Sequence, residues 1–257
     1  MIESCNGICF CIPARYASSR LSNKLLLKLN QDSCIKRTIK QVSKSKFFNN
    51  NIYVLTDEQI IVDEVKTLNC HTILTNGYYC NGTERISKNL KSIPCHYNII
   101  VNIQADEPFI SPLNIDESIS KHLQHRHTDI YYTTLHEENN DINYLKSTAS
   151  LKLITDNRNN VLYYSRNIIP WNKSNSINSN YKYKTFTGIY VFNRDKIEMY
   201  SSISNTSLQN EEDCEQLKIL EHGFIIKTYP TIEYNEISLN TKEDYEYLYN
   251  KYLNNNS

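Results

Sequence analysis

Arg15, Arg20 and Lys24 share one short loop in the stretch CIPARYASSRLSNK, residues 11–24, directly behind an apolar run from Gly7 to Ile12 that breaks at Pro13. A guanidinium is a planar fork matched to phosphate oxygens and an ammonium is a compact charge. The trio therefore suits an oligophosphate, at about 1.5 to 3 kcal/mol per charge-assisted bond. Taken alone, the stretch serves equally well as a solvated basic loop. A second apolar run, NIIVNI at 98–103, leads into QADEP and places Asp106 and Glu107 at the end of another strand. Hard cations such as Mg2+ take carboxylate and phosphate oxygens together, so an acidic cluster facing a basic loop describes a metal-bound nucleotide. On its own the acidic pair is also an ordinary turn before Pro108.

The glycines narrow the chemistry. They stand only at positions 7, 77, 82, 188 and 223. No two lie two residues apart, which removes the Gly-x-Gly-x-x-Gly dinucleotide loop; none precedes a lysine, which removes the Walker A loop; and no Gly-x-Ser-x-Gly elbow exists. If this α/β sheet handles phosphate, it does so with side chains. In KHLQHRH, His122 and His125 stand at helical i, i+3 spacing and could hold a metal, but no carboxylate or thiol is grouped beside them, and a solvated helix end is expected. The eight cysteines are scattered, mostly in apolar runs, with no Cys-x-x-Cys pair, so reduced, buried, structural roles are expected and a zinc ribbon is not.

Those residues must be positioned by alternating strands and helices. Strands are expected over 7–12, 51–56, 71–75 and 98–103, and helices over 34–47, around 58–68 and from Thr83. Short apolar strands separated by helices make a parallel sheet covered on both faces, an α/β protein. In such sheets ligands bind beyond the carboxyl ends of the strands, which is where both the basic loop and QADEP fall. The rhythm then turns β-rich, with strands over 129–136, 150–156 and 160–166, a hairpin turn at DNRNN, a polar, mobile loop over 172–184, and a strand over 185–192. One helix is expected over 208–222, stopped by Gly223, then a strand over 224–229, and a last helix opened by a capping box of Thr241 and Asp244.

Lys plus Arg is 28 and Asp plus Glu is 28, so no global field draws the chain to nucleic acid or anionic lipid. That balance and the lack of a basic stripe oppose a reading of YKYK and the tyrosines as an RNA-stacking platform. No window approaches the roughly 18 apolar residues of a membrane span. The acidic start and short apolar core of MIESCNGICFCIPAR do not describe a secretory signal, so a cytoplasmic protein with no membrane partner is expected.

With these residues in place the chain resembles the 3-deoxy-manno-octulosonate cytidylyltransferases, the CMP-KDO synthetases, from about Ile8 to Tyr252. IPARYASSRLSNK resembles the nucleotide loop of that family, NGTER at 81–85 its cytosine-side loop, and VNIQADEP at 101–108 its metal strand. LYYSRNIIPW at 162–171, GIY at 188–190 and EQLK at 215–218 resemble the acid-sugar half. The resemblance implies a three-layer α/β/α fold like that of nucleotide-diphospho-sugar transferases, with a mostly parallel sheet. It also implies one domain over 1–257 with a β-rich excursion at about 129–192 that builds a homodimer. The activity implied is transfer of CMP from CTP to the anomeric hydroxyl of KDO with release of pyrophosphate. By the same resemblance Arg15, Arg20 and Lys24 hold the triphosphate, and Asn81, Gly82, Arg85 and Gln104 recognise the nucleotide. Gln104, Arg166, Tyr190, Glu215 and Gln216 line the sugar site, while Asp106 and the residue at 240 bind Mg2+. Arg15, Lys24 and Asp106 are the implied catalytic groups.

Several positions depart from the pattern. Asn240 stands in NTKED where the family carries a second metal aspartate, and Phe186 where it carries a histidine. Ser22 and Asn23 replace a Pro-Gly pair, Asn81 a serine, Ala105 a glycine, and Lys218 an arginine. Loss of the charge at 240 weakens the expected metal site, since a unit pair at 4 Å is worth about 4 kcal/mol at an effective dielectric of 20. Glu243 or Asp244 could compensate. Two alternatives stand beside an active enzyme of this kind: a nucleotide-binding relative with impaired turnover, and a cytidylyltransferase for another acid sugar such as a sialic acid.

Overall fold

The computed structural model describes residues 7–17, 20–235 and 237–253; Cys5 and the hydroxyl pair Ser18 and Ser19 lie outside them. The first half runs β1 (Ile8–Ala14), β2 (Lys28–Leu29), β3 (Asp32–Ser33), α1 (Cys34–Val42), β4 (Ile52–Thr56), α2 (Gln59–Val65), β5 (His71–Leu74), α3 (Gly82–Lys88), β6 (Ile99–Ile103) and α4 (Pro112–Leu123). There follow β7 (Ile130–Asn139), α5 (Ile142–Lys146), β8 (Lys152–Thr155), β9 (Val161–Ser165), β10 (Tyr183–Asn193), α6 (Arg194–Tyr200), α7 (Ser207–Glu212), α8 (Glu215–Glu221), β11 (Ile225–Pro230) and α9 (Lys242–Leu253).

Alternation along β1 explains the layers. Phe10 and Ile12 face one way, into a core closed by α1, α2, α4 and α9; Cys9 and Cys11 face the other, into a core closed by α3, α6 and α8. A strand buried on both faces needs apolar residues at every position, which is what the uninterrupted run at 8–12 supplies. Among the described residues nine strands form one sheet, whose main path is β11-β7-β10-β6-β1-β4-β5. β5, β4, β1 and β6 are mutually parallel, β11 is parallel to β7, and β10 runs antiparallel between β6 and β7. The β8–β9 hairpin branches from β10. Its tip, with Asn159 at positive φ as the DNRNN turn requires, lies against β11: the Thr228 N–H donates to the Asn159 carbonyl at 3.0 Å.

Three expectations are corrected. The helix over 208–222 is two helices, α7 and α8, because Asp213 turns into the left-handed region at φ 43°. His122 is not solvated: it is 1% exposed, with Nδ1 at 3.0 Å from the Thr133 hydroxyl and Nε2 at 3.3 Å from Asn193 Oδ1. Cys9, Cys11, Cys34 and Cys214 are buried, but Cys80 and Cys95 are exposed. The capping box before α9 forms as expected, with Asp244 N–H on Thr241 Oγ1 at 3.2 Å and Thr241 N–H on Asp244 Oδ2 at 2.8 Å. No helix among the described residues is long and apolar enough to cross a membrane.

Candidate active site

The chain leaves β1 for β4 and β5 on one side, then returns to β6 on the other, so β1 and β6 flank a point where the strand order reverses. A crevice opens there beyond the carboxyl ends of the strands. It is a cleft of about 1110 Å³, and every residue expected to act on nucleotide, sugar or metal lines it. The basic loop follows β1 and QADEP follows β6, and they meet directly: Lys24 Nζ pairs with Asp106 Oδ2 at 2.5 Å. Asn23 holds the entry to this turn at φ 52°. Asparagine tolerates that left-handed conformation better than most residues, which reconciles it with the glycine of the family pattern.

The wall above β1 is the start of α3. The Asn81 side chain caps that helix by accepting the Glu84 N–H at 2.8 Å and donates to the Tyr200 hydroxyl at 2.9 Å. Gly82 is required by close packing, since a Cβ there would lie 2.7 Å from Pro13 Cγ. Arg85 is buried but paired, with Nη2 on Asp57 Oδ2 at 2.9 Å, Nη1 on the Thr75 hydroxyl at 2.8 Å, and its guanidinium over the Tyr79 ring. Burial raises the Asp57 carboxyl, and the Arg85 guanidinium and Tyr16 amide more than offset this, holding it below the usual range.

The opposite wall is a continuous chain of hydrogen bonds. Gln104 Nε2 donates to Asn102, Asn102 to the Thr83 hydroxyl, and Thr83 to Glu215 Oε1 at 3.1 Å. Burial raises the Glu215 carboxyl. Gln216 Nε2 donates to the Tyr190 hydroxyl at 2.7 Å, and burial pushes that hydroxyl well up, so it stays protonated. A register shift in β10 between Phe186 and Tyr190 turns both rings toward the cleft, as bulges beside sites do. Phe186 packs on Tyr190 with centroids 5.0 Å apart, so an aromatic surface occupies the place of the expected polar contact. Arg166 also lines the cleft, but most of its donors are engaged: Nε on the Glu212 carbonyl, Nη1 on the Thr148 carbonyl, and Nη2 on the Asp213 carbonyl and carboxylate. Lys218 does not line it; its ammonium lies 4.4 Å from the Tyr200 ring centroid, behind the wall.

Asn240 comes beside Asp106 because the Leu239 N–H donates to the Asp106 carbonyl at 2.9 Å, and its Oδ1 lies 3.5 Å from Arg20 Nη2. Asp244 also lines the cleft, but its Oδ2 is committed to the helix start, where it accepts both the Asn240 and Thr241 N–H. Among the described residues no group of three or more His, Cys, Asp or Glu is placed to hold a metal. The donors present, one carboxylate and one amide oxygen, are hard, and they fit Mg2+ only as a site shared with substrate phosphates and water. Glu107 does not join them: it is buried, Ser238 donates to its Oε1, and burial together with Asp106 pushes its carboxyl up to about 8.

Sequence reasoning missed Tyr78, Asn205 and Gln209, which also line the cleft. None sits in a motif. Only Gly77 beside Tyr78, at φ 116°, hinted at a sharp turn presenting that ring.

A family model described as cytidylyltransferase matches residues 9–232. Over 239 residues the chain is 35% identical to the mitochondrial 3-deoxy-manno-octulosonate cytidylyltransferase of Arabidopsis thaliana, covering 91% of this chain and 79% of that protein. Over 238 residues it is 34% identical to the 3-deoxy-manno-octulosonate cytidylyltransferase of Protochlamydia amoebophila, covering 91% and 89%. The chain belongs to the 3-deoxy-manno-octulosonate cytidylyltransferase family. A solved structure of CMP:2-keto-3-deoxy-manno-octonic acid synthetase complexed with CTP superposes with a TM-score of 0.85 at 23% identity, covering 96% of this chain and 99% of that one. At that identity the likeness shows the fold: a nucleotidyltransferase-like α/β sheet with helices on both faces. Of the departures from the family pattern named above, Asn81, Ala105, Phe186 and Asn240 line the cleft.

Proposed function

We propose that the protein transfers CMP from CTP to the anomeric hydroxyl of 3-deoxy-D-manno-octulosonate and releases pyrophosphate. The contact that carries this reading is the Lys24–Asp106 pair, which joins the phosphate-suited loop to the acid-bearing strand inside one cleft whose far wall carries the side chains of Gln104, Tyr190, Glu215 and Gln216. Arg15, Arg20 and Lys24 neutralise and align the triphosphate. Gly82 lets the α3 wall approach Pro13 and Gln104 closely, while Asp57 holds Arg85 in place beside the nucleotide. Gln104, Tyr190, Glu215 and Gln216 orient the sugar so that its hydroxyl oxygen attacks the α-phosphorus in line with the departing pyrophosphate. Alignment of two reactants and charge neutralisation supply most of what such a transfer needs, without a covalent nucleophile. Mg2+ would be held by Asp106 with Asn240 and would supply polarisation of the phosphates. The test is pyrophosphate release from CTP, dependent on Mg2+ and on the sugar acid; purified protein giving none at any Mg2+ concentration refutes the reading.

Asn240 and Phe186 favour a second reading, a nucleotide-binding relative with impaired turnover, in which CTP binds but no sugar acid is converted. Turnover with a panel including KDO and a sialic acid separates the two readings and selects the sugar. We also propose that the chain acts as a homodimer built through the 129–192 excursion, whose exposed Leu162 and Trp171 supply apolar surface; a monomeric mass in solution refutes it.

A further inference from the structure

Lys152, at the start of β8, is fully buried, and it does not line the cleft. A lysine in that position is rare unless its charge is satisfied, and here three backbone carbonyls satisfy it: Nζ donates to Ser147 O and Ser150 O at 2.9 Å each and to Arg166 O at 2.5 Å. Its neighbours continue the tie. The Arg166 guanidinium crosses to the Thr148, Glu212 and Asp213 carbonyls. The Glu212 carboxylate in turn accepts the Ser165 hydroxyl at 2.7 Å and the Arg166 N–H at 2.8 Å. Three chain segments that are distant in sequence are thus bound by three charges: the turn at 147–150, the end of β9, and the elbow between α7 and α8. Each contributes to the cleft wall, through Ser147 and Ser150, Arg166, and Asp213 running into Glu215.

We propose that Lys152 is a positioning residue that sets the spacing of the acid-sugar half of the cleft by tying the 147–150 turn to the end of β9, from which Arg166 and Glu212 carry the tie to the α7–α8 elbow. The inference rests on the reading of the cleft given above. It predicts an effect confined to one substrate, because Lys152 touches none of the segments that carry the basic loop, α3 or QADEP. Titration supports it. Burial, with Arg166 nearby and Glu212 opposing, lowers the Lys152 ammonium to about 8. The charged groups facing it are Arg166 beyond β9 and Glu212 at the end of α7. β10 brings Thr185 opposite it, and the 147–150 turn presents the two serine carbonyls. A neutral amine keeps two donors for three carbonyls, so the tie loosens as pH rises through that value.

The experiment compares wild type with Lys152→Met and Lys152→Arg. It measures KM for CTP and for the sugar acid separately, and also the dissociation constant of the sugar acid by calorimetry. The methionine variant is expected to raise the sugar-acid KM at least tenfold while CTP KM stays within twofold. The arginine variant, whose guanidinium does not deprotonate, is expected to keep most of the affinity. In wild type the sugar-acid KM rises above pH 8, and in Lys152→Arg it stays flat. Equal losses for both substrates, or the same pH profile in wild type and Lys152→Arg, overturn the proposal. The pH comparison decides the matter even if Lys152→Met does not fold. Wild type that turns over the sugar acid while the variants keep its KM refutes the positioning role alone; wild type that neither binds nor converts any acid sugar removes the reading and the proposal together.

Discussion

Gly188→Ala tests the close approach that shapes the cleft floor. A Cβ at 188 would lie 2.6 Å from Glu107 Oε1, 2.8 Å from its Cγ and 3.0 Å from its Cδ. Glu107 cannot swing aside, because it is buried and Ser238 donates to Oε1. Either β10 or the turn after β6 must therefore move by several tenths of an ångström. Overpacking of this kind costs about 1 to 3 kcal/mol, which for a chain of this length lowers Tm by roughly 3 to 10 °C. The movement also strains the Gln104 N–H bond to the Gly188 carbonyl at 3.1 Å and displaces the bulge that aims Phe186 and Tyr190. Misplacing reacting groups by 1 Å costs on the order of 100-fold in rate, so turnover should fall by roughly ten- to a hundredfold. Thermal unfolding and steady-state kinetics read both effects. Gly7→Ala, with nothing within 4 Å of the added methyl, is the control and should stay within about 0.5 kcal/mol of wild type. If Gly188→Ala melts and turns over like wild type, the steric argument is wrong.

Asn240→Asp should lower the half-saturating Mg2+ concentration by roughly tenfold, about 1.4 kcal/mol, because it adds a charge beside Asp106 within an open cleft where Arg20 partly screens it; an unchanged Mg2+ dependence removes Asn240 from the site. Asp57→Asn strips the partner from a guanidinium whose side chain is 4% exposed, and should destabilise by about 1 to 3 kcal/mol, less than a fully buried pair because Asp57 is 30% exposed. Asp57 titrates below its unfolded value, so the penalty is present at neutral pH and fades as pH falls through the carboxylate range, which urea unfolding at several pH values checks. His122 and His136 are both held to about 4, chiefly by burial, against 6.5 when unfolded. The unfolded chain thus binds more protons between those values, and stability present above pH 6.5 should drop by about 3 kcal/mol per histidine on the way to pH 4. A flat unfolding free energy across that window contradicts their burial as neutral rings.

The meeting of the basic loop and the acid at position 106 was legible because both follow apolar runs. Such runs in an α/β rhythm form parallel strands of one sheet, so their carboxyl ends share an edge. The elbow at Asp213 was only weakly marked: Asn210, Asp213 and Cys214 are poor helix formers and aspartate enters the left-handed region more readily than most residues, but no glycine or proline punctuates LQNEEDCEQL. The burial of His122 depends on β7 folding back to bring Thr133 to it and on β10 bringing Asn193, which is distant in the chain. Arg166 lines the cleft, but its engagement with carbonyls is a property of backbone placement, which side-chain patterns do not encode.

The hairpin tip laid against β11 has a bearing on how this molecule behaves when crowded. A border strand with bare amides and carbonyls invites a neighbouring copy to continue the ladder, the route by which sheet proteins grow into fibrils. Here the chain seals that border with its own Asn159 and Asn160, and the Lys227 ammonium bonds to the Arg158 carbonyl. Shortening the tip would unseal it, and concentrated solutions of such a variant should thicken and scatter light where the intact chain stays clear.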